Sequence, residues 1–230
     1  MKFYYDLHVH SDLSPCSSGD MTPNNIINMS LIKELDIIAV TDHNSAGNLR
    51  AVTEVGNKAG IRVIPGLEVT TREEVHVLCY FKDLENAEEF GKVIYESLPP
   101  IKNNPEIFGE QNIYNSNDDI IGTIDKLLIN ASNYTIEDIN FMVEEYRGVM
   151  VPAHINKMTN GILGVLGFMP PDLKIDFVEV YSKLPIDDKI TKKYKILVNS
   201  DAHQLIDISE KVNYFNLSSI DDVYSFLKLE

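Results

Sequence analysis

The sequence predicts an α/β fold in which short strands alternate with helices. Seven short runs rich in valine, isoleucine and aromatic residues recur along the 230-residue chain, and helical patterns separate most of them. The runs are apolar almost without interruption, which is typical of strands covered on both faces. Because a single α/β barrel can use the whole of this length, we expect one domain over residues 1–230.

The order of these elements predicts parallel pairing. The strand-like runs lie at 3–10, 36–43, 62–71, 74–81, 148–155, 177–182 and 195–203. The first connecting helix begins with Thr22 as N-cap and Pro23 at its first position, and the second ends at Gly60. A strand, a helix and a second strand at this spacing favour a parallel crossover. Residues 218–229 carry the stripe of a terminal amphipathic helix.

Two places break the alternation. The third and fourth runs are separated by only about two residues, which is too few for a crossover helix. A long insert at about 82–147 then precedes the fifth run; it is polar and loop-like at 99–119, with helical patterns around 85–96 and 135–146. We expect this insert to shape the mouth of a binding site.

Composition limits the partners. The net charge of −15 disfavours binding to long nucleic acid, because an acidic surface repels phosphate backbones. It still allows a small phosphorylated substrate, since a local cluster of metal ions outweighs the global field. Two cysteines are too few for a disulfide framework, and no apolar run suits a signal peptide or a membrane span. A cytoplasmic protein without a membrane partner is therefore expected, and its oligomeric state is not predicted.

The histidines point to metal binding. His8 and His10 are two residues apart at the end of the first run, so they project from the same face of a strand. All six histidines lie at or near the end of a predicted strand: His8, His10, His43, His76, His154 and His203. In a parallel barrel these ends gather at one mouth. Six imidazoles there would repel one another if protonated and lack partners if buried, and metal ions remove both problems.

Two carboxylates accompany the histidines. Glu68 ends the third run, and Asp201 precedes His203 by two residues, a spacing that allows both to share a face. A carboxylate can bridge two cations held about 3.5–4 Å apart, the arrangement used for in-line attack at phosphorus. A lone acidic residue near a strand end is usually a cap or a solvated charge, but among six histidines it is better interpreted as a ligand.

At this point the sequence resembles the polymerase and histidinol phosphatase (PHP) domain family of metal-dependent phosphoesterases. The motifs occur in order: "DLHVHSDLS" from Asp6, "VTDHN" from Val40, "GLEV" followed by "HVLCYF", "PAH" from Pro152 and "NSDAH" from Asn199. The resemblance covers nearly the whole chain. It implies a distorted (β/α)7 TIM-like barrel of the PHP type, in agreement with the seven strand-like runs.

The resemblance also implies two or three divalent metal ions, either Zn, Mn or Fe, and divides the ligands among them. The first site would contain His8, His10, Glu68 and Asp201; the second would share Glu68 and add His76 and His154; the third would contain His43 and His203. A hydroxide held between the metals would be the nucleophile, because the cations lower its pKa.

The sequence departs from the family at the third site. The family usually places an aspartate or histidine five or six residues beyond the histidine pair, where this chain has Pro15 and Cys16. Cys16 is a candidate thiolate ligand that would favour zinc, and Asp20 is an alternative. If neither side chain is a ligand, we expect a weak third site. Another interpretation is that Cys16 is a small buried residue with a structural role. Cys79 is most simply part of the core.

Phosphate binding needs cationic donors beyond the metals. Arg72 and Lys157 lie just past predicted strand ends and are the candidates for gripping phosphoryl oxygens, although each could equally be a surface charge. Asp42, beside His43, is a candidate for orienting a metal ligand from behind.

The predicted function is hydrolysis of a phosphate ester on a small molecule, such as a nucleotide, a sugar phosphate or histidinol phosphate. Two alternatives remain open. One is amidohydrolase-like hydrolysis of a C–O or C–N bond, although such proteins typically run longer and often have a bridging lysine where Glu68 stands here. The other is a non-catalytic metal-binding regulatory module, against which the complete set of ligands argues.

Overall fold

The computed structural model describes residues 1–229, and within them the chain forms eleven strands and eight helices. The strands are β1 (Lys2–Val9), β2 (Ile37–Val40), β3 (Arg62–Val63), β4 (Gly66–Thr70), β5 (His76–Phe81), β6 (Asn112–Tyr114), β7 (Ile120–Thr123), β8 (Gly148–Pro152), β9 (Phe177–Glu179), β10 (Lys195–Leu197) and β11 (Tyr214–Asn216). The helices are α1 (Pro23–Ile32), α2 (Leu49–Ala59), α3 (Leu84–Ser97), α4 (Pro105–Phe108), α5 (Ile136–Glu145), α6 (Ile162–Val165), α7 (Asp188–Lys193) and α8 (Asp222–Leu227).

The predicted α/β class is confirmed, and the strands form four separate sheets. Their orders are β11-β1-β2-β3, β4-β5-β8, β9-β10 and β6-β7. The pairs β1–β2, β2–β3 and β9–β10 are parallel, as the strand–helix–strand order predicts. The short link between the third and fourth runs makes β4–β5 an antiparallel pair, and β8 adds to it antiparallel.

The closed, distorted (β/α)7 TIM-like barrel is not confirmed, because no continuous ladder joins the sheets across residues 1–229. Single bridges link them instead, from Val9 to Ala202 and from His43 to Glu68. The physical reason lies in strand length and direction. Strands of two to five residues pair over short distances, and the antiparallel sheet of β4, β5 and β8 interrupts the parallel order.

The helix signals of the sequence hold in the first half of the chain. Thr22 caps α1 by accepting a hydrogen bond from the backbone N–H of Asn25, and Pro23 is its first residue. Helix α2 ends at Gly60, whose φ of +80° is the left-handed conformation that glycine adopts without strain. Both helices pack apolar faces against β1 and β2, so the ends of these strands are held in fixed positions.

The insert at 82–147 contains a hairpin that the sequence analysis does not predict. Strands β6 and β7 form it within the stretch expected to be loop. Asn112 Nδ2 and the Tyr114 hydroxyl donate to Oδ2 of Asp12 over 2.8 and 2.6 Å. The backbone N–H of Tyr114 donates to Oδ1 of Asn48 over 2.8 Å. The insert is thereby fastened to the loops that follow β1 and β2.

Across the part of the chain that the structure describes, no helix combines the length and the apolar character that crossing a membrane requires.

Candidate metal centre

Six imidazoles and two carboxylates meet where the chain leaves or enters the strands. The side chains are those of His8, His10, His43, Glu68, His76, His154, Asp201 and His203. His76 joins them from the start of β5 because β4 and β5 are antiparallel, which pairs it with Thr70 at the end of β4. The structure therefore brings together every histidine and both carboxylates that the sequence analysis selected.

Glu68 lies at the centre of this cluster. Its Oε1 is 2.9 Å from Nδ1 of His76, 3.3 Å from Nε2 of His8 and 3.3 Å from Nε2 of His154. Its Oε2 is 3.0 Å from Nδ1 of His43 and 3.4 Å from Nε2 of His10. Burial alone would raise the pKa of Glu68, but the surrounding imidazoles outweigh it and hold that pKa well below its ordinary value. The carboxylate is therefore ionised between five imidazoles.

Asp201 adds a second carboxylate on the side of β1. Its Oδ1 lies 3.3 Å from Nε2 of His8 and 3.3 Å from Nε2 of His10. The two ring nitrogens are themselves 3.1 Å apart. Burial raises the pKa of Asp201, yet His8 and His10 overcome this and place the pKa far below its ordinary value.

Three groups of ligand atoms are close enough to share an ion, since within each group the atoms lie within 4.8 Å of one another. The groups are His8, His10, Glu68 and Asp201; His43, Glu68 and His76; and His10, His43 and His203. The first group has the composition expected for the first site. The second group contains His43 in the place where His154 was expected. The third group contains the expected His43 and His203 together with His10. The cluster is so compact that His10 and His43 each belong to two of these groups.

The donor set fits divalent cations. Neighbouring ligand atoms bound at about 2.0–2.2 Å around one ion lie roughly 3.0–3.5 Å apart at tetrahedral or octahedral angles. The distances of 2.9–3.4 Å around Glu68 and Asp201 agree with this spacing. In addition, Oε2 of Glu68 and Nδ1 of His43 are buried and make no hydrogen bond within residues 1–229. Buried lone pairs that face one another need either a proton or a metal ion between them, and this mixture of nitrogen and oxygen suits Zn, Mn or Fe.

Backbone strain accompanies two of these residues. His154 has a φ of +28° and Asp201 a φ of +57°, values that residues with a side chain seldom adopt. Each stands just after a strand, β8 or β10, where the left-handed conformation turns the chain sharply. Strain of this kind persists where the surrounding structure fixes the residue, and it is frequent at functional sites.

Second contacts orient the rings of His10 and His203. Ser14 Oγ lies 3.0 Å from Nδ1 of His10, and the same hydroxyl donates to Oδ1 of Asp42 over 2.7 Å. Nδ1 of His203 donates to the backbone carbonyl of Asp201 over 2.9 Å. In both rings Nδ1 is thereby engaged and Nε2 is left free for the cluster. Asp42 thus acts through Ser14 on the ring of His10, and the same hydroxyl accepts the backbone N–H of His43 over 3.1 Å.

Glu179 is the residue of this site that the sequence analysis missed. It is buried in β9, and its Oε1 lies 3.0 Å from Nδ1 of His8. The signal was present, because a glutamate interrupts the apolar run "FVEVYS" that the analysis assigned to a strand. Burial raises the pKa of Glu179, but the His8 ring beside it reverses this and holds the pKa below its ordinary value.

Cys16 lies at the rim of the cluster and is exposed, so it is not the small buried residue that one interpretation expected. Partial burial of the thiol raises its pKa, but hydrogen bonding to His203 and His43 prevails and lowers it to about 6. Asp20 is exposed, and no side-chain contact with the cluster is found for it among the described residues. Cys79 is buried in the core, as expected, and burial raises its pKa.

The two cationic candidates differ in position. Lys157 donates from Nζ to Oδ2 of Asp201 over 2.6 Å, which places its charge at the edge of the cluster. Arg72 is exposed at the turn between β4 and β5. The pKa of Asp138 at the start of α5 is lowered mainly by hydrogen bonds from Thr135, and the charge of Arg72 adds to this. No hydrogen bond or ion pair within residues 1–229 joins the Arg72 side chain to the cluster. A cavity of about 520 Å³ lies beside Lys157 and is lined by Tyr181, Lys183 and Asp201 among others.

Comparison with known proteins agrees with this geometry. The model of the family described as "PHP domain" matches residues 6–156, which is more than half of the chain. A phosphoribosyl 1,2-cyclic phosphate 1,2-diphosphodiesterase from Eggerthella lenta is 31% identical over 78 residues, 32% of this chain and 29% of that protein. The 5′-3′ exoribonuclease Rnm of Salmonella typhimurium is 29% identical over 79 residues, 32% of this chain and 26% of that protein. The matched stretches thus span less than a third of these relatives.

Among solved structures, the fold is similar to that of the lesion-specific endonuclease PfuEndoQ from Pyrococcus furiosus. The TM-score is 0.67 at 23% sequence identity, and the match covers 89% of this chain and 49% of the endonuclease chain. A further structure of Endonuclease Q, with a TM-score of 0.65, is a complex with a 27-mer duplex that has an abasic lesion at the active site.

These findings correct one expectation. We expected no long nucleic acid as a partner, and this is wrong, because relatives are named as exoribonucleases and a protein of similar fold holds a DNA duplex. The error was to use the net charge of −15 as evidence about a site. Phosphate binding depends on the local field of the cations and donors at the site, which a sum over the whole surface does not measure.

Proposed function

The chain belongs to the PHP domain family, and from this premise we propose that it is a metal-dependent phosphoesterase. The observation that carries the proposal is the position of Glu68, whose two oxygens each lie within 3.4 Å of imidazole nitrogens that approach from different strands. Such a carboxylate is suited to lie between two cations. When bound, divalent cations supply Lewis acidity toward water and toward the phosphoryl oxygens.

The chain's own residues have two tasks in this proposal, and the first is to hold the ions. His8, His10 and Asp201 would hold one ion and His43 and His76 another, with Glu68 shared between them. His154 and His203 complete the ring of imidazoles, and Cys16 is retained as a candidate ligand at the rim. Neutral imidazoles leave the charge of the cations available for the phosphate, whereas a site made only of carboxylates would cancel it.

The second task is to hold the phosphoryl group. Lys157 is the proposed donor, because Nζ already reaches the cluster at Asp201 and can exchange that carboxylate for a phosphoryl oxygen. Arg72 remains a proposed donor for a more distant oxygen of a larger substrate, since its side chain is long and exposed.

The substrate class follows from the same chemistry. We propose a phosphate ester carried either by a small phosphorylated molecule or by a nucleic acid, because both present the same group to the cations. The relatives named as a cyclic phosphate diesterase and as exoribonucleases support both sources. The loops to which the insert at 82–147 is fastened would shape the entrance and select between them.

The test is metal-dependent turnover, with Glu68→Gln as the decisive variant. Protein treated with a chelator should lose hydrolysis of p-nitrophenyl phosphate or bis-p-nitrophenyl phosphate, and Mn²⁺ or Zn²⁺ should restore it. Glu68→Gln should lose bound metal, measured by elemental analysis, and at least about 100-fold in rate, because an amide binds cations weakly. Its far-ultraviolet circular dichroism should stay unchanged.

Glu137→Gln, on the exposed start of α5, is the control and should keep both metal and rate. Full activity in Glu68→Gln would refute the bridging role. Turnover of lactones or amides without turnover of phosphate esters would favour the amidohydrolase alternative, and metal binding without any turnover would favour a regulatory module. A 5′-phosphorylated oligoribonucleotide tested beside a mononucleotide distinguishes the two substrate sources.

A further inference from the structure

One carboxylate outside the metal-binding groups contacts two of the histidines. Glu179 Oε1 and Oε2 lie 3.0 and 3.1 Å from Nδ1 of His8. Oε2 also accepts the backbone N–H of His154 over 2.8 Å, and Oε1 accepts Nδ2 of Asn199 over 2.7 Å. Glu179 is 2% exposed, so water does not compete for these contacts. One buried side chain in β9 therefore joins the ends of β1, β8 and β10.

The contact with His8 sets which ring nitrogen carries a proton. An ionised carboxylate only accepts hydrogen bonds, so Nδ1 of His8 must donate. Nε2, at the other end of the ring, then presents its lone pair to Glu68, Asp201 and His10, all within 3.3 Å. The opposite tautomer would place a hydrogen where an ion should bind.

The contact with His154 acts through the backbone. His154 has a φ of +28°, a conformation that needs external support. The hydrogen bond from its N–H to Glu179 supplies such support in the buried interior. In this conformation the ring lies nearly parallel to that of His8, with centroids 5.9 Å apart, and Nε2 is 3.3 Å from Oε1 of Glu68.

We propose that Glu179 is a positioning residue for the metal centre. It fixes the tautomer of His8 through the ring and the direction of His154 through the backbone, so that both Nε2 atoms face Glu68. This inference rests on the proposed function, since it assumes that the cluster binds cations. It assigns to β9 a role that neither the motifs of the sequence nor the family match over residues 6–156 includes.

The test uses Glu179→Gln, which keeps size and shape but removes acceptors. The carboxylate accepts from three donors, namely the His8 ring, the His154 backbone and Asn199, whereas an amide has a single accepting oxygen. Because both oxygens lie within 3.1 Å of Nδ1 of His8, the NH₂ group of glutamine lies beside that nitrogen in either orientation, where it opposes a proton on Nδ1 and favours the other tautomer. We expect zinc affinity, measured by competition with a chromophoric chelator, to fall about 10- to 100-fold.

A second readout separates positioning from general destabilisation. In ¹⁵N-histidine-labelled, zinc-loaded protein, the His8 ring should show a protonated Nδ1, assigned by its disappearance in His8→Asn. Glu179→Gln should lose this signal. Glu179→Asp keeps an ionised acceptor, so it should retain the Nδ1 proton and recover part of the zinc affinity. If Glu179→Gln does not fold, Glu179→Asp tests the proposal through the same two measurements.

The control is Asp118→Asn, because Asp118 accepts hydrogen bonds from Thr22 and Asn24 outside the cluster. It should leave zinc affinity unchanged. Zinc affinity in Glu179→Gln equal to that of the wild type, or an unchanged Nδ1 signal, would overturn the proposal. So would a Glu179→Asp protein that folds but lacks the Nδ1 proton. Failure of the wild-type protein to bind zinc or manganese would instead refute the proposed function itself.

Discussion

Lys157 donates a hydrogen bond of 2.6 Å from Nζ to Oδ2 of Asp201, while Oδ1 of the same carboxylate faces the imidazoles of His8 and His10. Asp201 therefore lies between the ammonium group of Lys157 at the rim and the buried cluster. The ammonium group is held next to the cluster without occupying it, and it borders the cavity of about 520 Å³ that opens beside it.

Replacing Lys157 should weaken turnover without removing metal. We expect Lys157→Met to lower kcat/KM for a phosphate ester by about 10- to 100-fold, since a hydrogen bond from a charged donor contributes about 1.5–3 kcal/mol. Steady-state kinetics and elemental analysis of the same sample are the measurements. Lys228→Met, which breaks an exposed pair with Asp176, is the control. An unchanged kcat/KM would make Lys157 an ordinary surface charge.

The thiol of Cys16 should react at unusually low pH. Its pKa of about 6 means that the reactive thiolate forms as the pH rises through 6 and is nearly complete at pH 8. The rate of alkylation by iodoacetamide in metal-free protein should therefore rise between pH 5 and 7 and then level off. Mass spectrometry of the labelled peptides measures this rate.

Cys79 is the internal control for this experiment, because it is buried and burial raises its pKa. It should stay unlabelled in the folded protein throughout the range. Protection of Cys16 by added zinc would support its role as a ligand. A rate that rises only near pH 8 to 9, as for a free thiol, would contradict the contact with the imidazoles.

The hydroxyl of Tyr114 should stabilise the attachment of the insert. Tyr114→Phe removes the 2.6 Å hydrogen bond to Asp12, a carboxylate that is 4% exposed. We expect the free energy of unfolding in urea to fall by about 1–3 kcal/mol, because a buried carboxylate oxygen loses one of its two donors and keeps only Asn112 Nδ2. Tyr194→Phe is the matched control, since the Tyr194 hydroxyl is buried with no hydrogen-bond partner in residues 1–229. An equal loss in the free energy of unfolding in both variants would show that the hydrogen bond to Asp12 does not stabilise the fold.

Gly109 should tolerate no side chain. It has a φ of +99°, and a Cβ there would lie 2.2 Å from the carbonyl oxygen of Pro15. Gly109→Ala should therefore lower the free energy of unfolding by about 1–3 kcal/mol more than Gly167→Ala. Gly167 has a similar φ of +79°, but no atom lies within 4 Å of a Cβ added there. The difference in stability between the two variants therefore measures the cost of the steric clash at Gly109. If the two variants lose the same stability, the close approach of the insert to the Pro15 loop is incorrect.

Sequence patterns were sufficient for the class of fold and for the main members of the site. His8 and His10 share one face at the end of β1, Glu68 interrupts an apolar run that forms β4, and His154 follows the apolar run of β8 by two residues. Local periodicity fixes which residues share a face and which stand at an end. It therefore predicts that these side chains meet, without specifying how they divide into groups.

Other features depend on contacts between distant parts of the chain. The short strands β6 and β7 have no alternating pattern, so the sequence predicts a loop there. Contacts with the distant residues Asp12 and Asn48 fix the hairpin instead. Glu179 was missed because its partner His8 is far away in sequence. Closure of a barrel depends on the pairing of β8, β9 and β10, which composition does not encode. The left-handed backbone at Asp201 likewise has no sequence signal.

The family match ends at residue 156, but the proposed ligands Asp201 and His203 belong to the last third of the sequence. Their partners His8 and His10 lie at its beginning. An ion held by both groups would act as a cross-link between the two ends of the polypeptide, and its binding energy would add directly to the stability of the fold. The group of His8, His10, Glu68 and Asp201 is incomplete in either half alone, so cation uptake by that group would report that two separated fragments have reassembled.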